Sequence, residues 1–133
     1  MNHAGEVTTD WGDGTYTFRL TIAGAIELEG KCDAPIAAII GRVNGGSFKV
    51  SDIRETIRLG LIGGGMKSVD ALKLVRQHVD EKPLSENIPT ARVILLGLMF
   101  GFDESPLAGA APTTEGESQN ASTPQASTEQ QPS

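Results

Sequence analysis

From residue 104 to residue 133 the chain has no lysine, arginine, aromatic residue, isoleucine or valine. It offers one large aliphatic side chain, Leu107, among Ala, Ser, Thr, Pro, Gln, Gly and Asn. A segment of this composition buries too little apolar surface to offset the entropy lost on ordering it. It is expected to be a disordered acidic tail, so any core must be built from residues 1–103, which is room for one domain. Four glutamates, Glu104, Glu115, Glu117 and Glu129, lie in the tail; of the net charge of −6, the first 103 residues therefore carry −2. With lysines and arginines scattered singly, that balance argues against a nucleic-acid binder, which concentrates basic charge on one face.

Two periodicities organise the first 103 residues. Around Asp13-Gly14, a strong two-residue turn signal, apolar and polar positions alternate. A hairpin over 5–21 centred there pairs Trp11 with Tyr16, Thr9 with Phe18 and Val7 with Leu20. One face then carries Val7, Trp11, Tyr16, Phe18 and Leu20. A lone hairpin is marginal in water, so this face must lie on helices.

Helical spacing takes over after Thr21. The pattern predicts helices over 22–30, 34–44, 51–62, 68–80 and 87–101. Thr21 caps the first, whose buried stripe is Ile22, Ala25, Ile26 and Leu28. Asp33 caps the second, with Ile36, Ile39, Ile40 and Val43 on its inner face. Ser51 caps the third, with Ile53, Ile57, Gly60 and Leu61 inward and Arg54, Glu55 and Arg58 outward. Ser68 caps the fourth, with Val69, Leu72, Val75 and Val79 inward. The fifth has Pro89 in its first turn and is apolar almost all round, which suits either the centre of a small domain or a partner-binding face. If it is a docking face, its candidate contact residues are Leu95, Leu98, Met99, Phe100 and Phe102. The expected fold class is α+β, mainly α: an N-terminal β-hairpin packed on a small bundle of about five short helices, followed by the disordered tail.

Chemistry-bearing motifs are sparse. Gly60 to Ser68 nearly spells a phosphate-binding loop, but Met66 separates Gly65 from Lys67 and no apolar strand precedes the glycines. Gly63, Gly64 and Gly65 read instead as a helix stop, the conformational role glycine fills at helix ends. No cluster of His, Cys, Asp and Glu has metal-ligand spacing, His78 reads as a solvated histidine at a helix end, and Cys32 has no catalytic motif around it. The chain is thus expected to be non-catalytic, with no cofactor and no metal. Its longest apolar run, residues 93–102, falls short of the roughly 20 residues that span a bilayer.

Three stretches together resemble a family of small proteins encoded in the tail gene clusters of gene transfer agents and related tailed phages of alphaproteobacteria. The first is Gly5-Glu6-Val7 with Asp13-Gly14 and then the run from Arg19 to Glu29. The second is the run from Asp52 to Gly65, a helix ending in Gly-Leu and a glycine cluster. The third is Ser68 opening a helix, a Pro-Leu break at Pro83-Leu84, and a final apolar helix. The resemblance covers about the first hundred residues. That family is described as tail-assembly chaperones and also carries a tail-tube label. The resemblance implies a protein of particle morphogenesis that binds a tape-measure or major tail protein in the bacterial cytoplasm, or alternatively a minor structural tail-tube component of the particle.

Overall fold

A computed structural model of the chain describes residues 5–101. The expected tail at 104–133 and the candidate residue Phe102 lie outside the described residues. The elements run β1 (Val7–Trp11), β2 (Gly14–Phe18), α1 (Ile22–Cys32), α2 (Ile36–Gly45), α3 (Val50–Gly63), α4 (Ser68–His78), a 3₁₀ turn (Leu84–Asn87) and α5 (Ile88–Phe100). This is the α+β, mainly α architecture that the two periodicities predict, with a two-stranded antiparallel hairpin set on five helices among the described residues.

The hairpin turns one residue earlier than Asp13-Gly14. Its pairs are Val7 with Phe18, Thr9 with Tyr16 and Trp11 with Gly14. Gly12 takes φ 60° while Asp13 does not enter the left-handed region. Positive φ at the first central residue alone is the type II′ pattern, whereas a turn on Asp13-Gly14 would need it at both. Each expected partner on β2 moves by two positions, which keeps every side chain on its expected face. Trp11 and Phe18 are buried, and Thr8 and Thr17 exchange a hydrogen bond on the outer face.

The centre of the bundle is α3, not the more apolar α5. Helices α1, α2, α4 and α5 and strand β2 all pack on α3. Ile53, Ile57 and Leu61 are fully buried there together with Thr56 and Asp52. Three polar residues of α3 tie down its neighbours. Asp52 accepts two hydrogen bonds from the Arg42 guanidinium of α2, at 2.8 and 2.7 Å, and one from the Lys49 backbone N–H. Arg54 donates to both carboxylate oxygens of Asp80, just past α4. Arg58 pairs with Glu27 of α1 and with Glu55. Glu55, expected to face outward, is buried because it sits between Arg54 and Arg58 and accepts from both.

Helix starts depart from the expected serine and aspartate caps. Thr21 does cap α1, accepting from Gly24 N–H. Asp33, however, adopts the left-handed conformation that ends α1 (φ 52°), and α2 begins after Pro35. The Glu29 carboxylate serves α2 instead, accepting the Ile36 N–H at 2.7 Å at the helix end where negative charge is favoured. Lys49 and Lys67, not Ser51 and Ser68, occupy the cap positions of α3 and α4.

Two inward faces are rotated from their expected positions. On α4 the buried side chains are Ala71 and Val75, followed by Val79, while Val69 is exposed. On α1 they are Ala25, Leu28 and Cys32, at i, i+3 and i+7. Ile22 and Ile26 point about a quarter to a third of a turn away from that row and are 70% and 64% exposed.

Candidate partner-binding surface

The exposed isoleucines of α1 meet the end of α5. Both helices pack against α2 and α3, and between them lies a groove of about 280 Å³ lined by Ile22, Ala25, Ile26, Glu29, Ile36, Leu98 and Met99. A second depression shares Ile22, Leu98 and Met99 and continues past Leu20 and Thr21 to Phe100. Met99 is 51% exposed and Phe100 79%. This clustered apolar exposure makes the groove the candidate contact surface of the described residues. Glu29 is the charged side chain of the groove, and its carboxylate is engaged by the Ile36 N–H.

The structure divides the candidate contact residues of α5. Met99 and Phe100 are on the surface, and Leu98 is half-buried along the groove wall. Leu95 is 2% exposed and packs in the core with Ala91 and Ile94, so it is not available to a partner. Helix α5 is thus core on one side and surface on the other. Sequence reading missed Ile22 and Ile26 as surface residues. Leu28 and Cys32 continue the inward row toward the end of the helix, and that continuation was the available signal.

Gly63, Gly64 and Gly65 end α3 at a crossing with β2. A Cβ on Gly63 would collide with the Arg19 carbonyl oxygen, and one on Gly64 with that of Thr17. Gly65 supplies the positive φ, 114°, that turns the chain out of the helix. The backbone N–H groups of Gly64, Gly65 and Met66 all donate to α3 carbonyls, among them Gly60, Ile62 and Leu61. They are committed to a helix C-terminus, the end that disfavours anions, so they do not form the cradle of a phosphate loop.

Trp11, Asn87, His78 and Cys32 sit within the fold. Trp11 Nε1 donates to the buried Asn87 Oδ1 at 2.7 Å, and Asn87 Nδ2 donates to the His78 carbonyl at 2.9 Å, which fastens the hairpin to the α4–α5 connection. His78 is not the solvated residue expected. Its ring packs edge-on against Trp11 beneath Gly12, and Nε2 lies 3.6 Å from Asp13 Oδ1, beyond hydrogen-bond reach. Cys32 closes α1 inside the core, where burial pushes its thiol up to about 11 and keeps it protonated at neutral pH. Among the described residues no group of His, Cys, Asp and Glu is placed to hold a metal ion, and no helix is long and apolar enough to cross a membrane.

The hairpin, the glycine-terminated α3 and the final apolar helix all fall within residues 4–101, which match the family model described as phage tail tube protein, GTA-gp10. The chain belongs to this family. It is a tail-related protein of a phage or gene transfer agent, as the three sequence stretches imply. No curated protein and no solved structure matches it.

Proposed function

We propose that this member of the tail family is a non-catalytic tail-assembly chaperone that holds a tape-measure or major tail protein in the bacterial cytoplasm until the tail polymerises. The observation that carries this reading is the apolar face of Ile22, Ile26, Met99 and Phe100 at the groove between α1 and α5. A protein that keeps an aggregation-prone client soluble needs such a face accessible while its own core stays closed, and the α3-centred core meets the second condition. The family description favours a second reading, a minor structural component of the tail tube. A tube wall built from sheet calls for more strand than one five-residue pair, which weighs toward the chaperone.

Binding of the full chain to a tape-measure fragment, measured by calorimetry, tests the proposal. Met99→Lys places a cation at a helix C-terminus, where it is tolerated, and Ile26→Lys alters the opposite wall of the groove. Each is expected to weaken binding by about 2 kcal/mol, as for a buried interface anchor, while the melting temperature stays nearly constant. Binding that survives both substitutions rejects this surface.

A further inference from the structure

We infer that the α1/α5 face also closes on a second copy of this chain, forming a two-fold dimer in which Phe100 of each copy enters the groove of the other. The inference uses the face assigned above to the client, yet it depends on the shape of that face and not on what the client is.

The argument begins with the juxtaposition of a projection and a hole. Phe100 stands out from the last turn of α5, 79% exposed, beside Met99. The neighbouring groove is lined by Ile22, Ala25, Ile26, Ile36, Leu98 and Met99 and has a volume of about 280 Å³. An apolar cavity of roughly 150 Å³ already accepts a benzene ring, so the groove has room for a phenyl side chain. Projection and hole share one face and are linked through Ile22, Leu98 and Met99. A two-fold axis through such a face seats both projections at once and closes the assembly, whereas a projection and hole on opposite faces would generate open chains.

Area agrees with this occupant. With about 150–250 Å² on a large side chain, the exposed fractions of Ile22, Ile26, Met99 and Phe100 amount to roughly 500 Å² per copy. Two copies then bury at most about 1,000 Å², the lower bound for a specific interface. The dimer is accordingly weak and exchanging, which suits a face that must also open to a client.

Sedimentation equilibrium of the full chain without any client provides the test. The wild type is expected to pass from monomer to dimer by about 0.2 mM, where a micromolar dissociation constant fills the dimer. Phe100→Lys and Ile26→Glu alter the projection and the hole respectively, both at exposed positions. Each alone alters both junctions of the homodimer and should weaken self-association by well over the roughly 30-fold that one lost interface anchor costs. Mixing the two variants should restore a heterodimer, because one junction becomes Lys against Glu and the other remains Phe against Ile. Three results overturn the inference: a monomeric wild type at 0.2 mM, self-association unchanged in both variants, or assemblies that grow past the dimer. A monomeric wild type that still binds the tape-measure fragment assigns the groove to the client alone and leaves the chaperone proposal standing. A dimer that binds no such fragment has the opposite meaning.

Discussion

At the scale of single residues, glycine identity is decided by what passes overhead. Gly64 lies under the β2 backbone, where an added Cβ would strike the Thr17 carbonyl oxygen, whereas Gly41 in α2 has open space around it. Gly64→Ala is therefore expected to lower stability by about 1–3 kcal/mol through overpacking. Gly41→Ala should raise it by about 0.5–1 kcal/mol, the ordinary helix gain. Chemical denaturation of both variants checks the pair, and equal effects would refute the close crossing. The glycine stop itself was legible as a local signal, but the crossing was not, since it depends on a strand more than forty residues earlier. Asp52 supplies the clearest pH dependence. Burial alone would raise its pKa, but the Arg42 guanidinium and the Lys49 N–H outweigh burial and hold the carboxyl below its ordinary value. The Arg54 guanidinium lowers Asp80 in the same direction. A depressed folded-state pKa contributes stability that is present above the unfolded value, about 3.9 for aspartate, and lost as pH falls through the folded one. Asp52→Asn should thus melt below the wild type at pH 7, with the gap narrowing below about pH 4. A gap that stays constant down to pH 3 would contradict this account.

At the scale of elements, periodicity located all five helices but not the orientation of every face. Alternation and 3.6-residue spacing are properties of contiguous sequence, so the hairpin and the helix order could be read directly. Which side of α1 turns inward is set by where α3 runs, and the local pattern marks it only through the continuation of the row at Leu28 and Cys32. Ile22 and Ile26 looked like core because they are apolar and four apart, yet Ala25, Leu28 and Cys32 form the row that meets the bundle. On α5 the inner and outer residues have nearly the same chemistry, which is why sequence left its role open. Stability separates them. Leu95→Ala, which removes a buried side chain, should cost about 2–5 kcal/mol. Ile22→Ser, at a 70% exposed position, should stay within about 0.5 kcal/mol of the wild type. Equilibrium unfolding in urea distinguishes the two, and a large loss at Ile22 would mean that its face belongs to the core.

At the scale of the whole molecule, a small domain places its polar clamps on α3 and leaves apolar surface at the α1/α5 groove. Asp52, Arg54 and Arg58 fix α2, the end of α4 and α1 around the central helix, so the exposed isoleucines and α5 end rest on a closed core. The proposed client face therefore rests on a packed core, and assembly without incorporation is the behaviour the proposed function requires. Quantitative mass spectrometry of purified particles, normalised to the major tail protein, measures incorporation directly. The chain is expected to be abundant in producing cells and absent, or present only in traces, in the particles. A fixed stoichiometric ratio to the tube subunits in every particle preparation would contradict the chaperone account and establish the chain as a structural component of the tail.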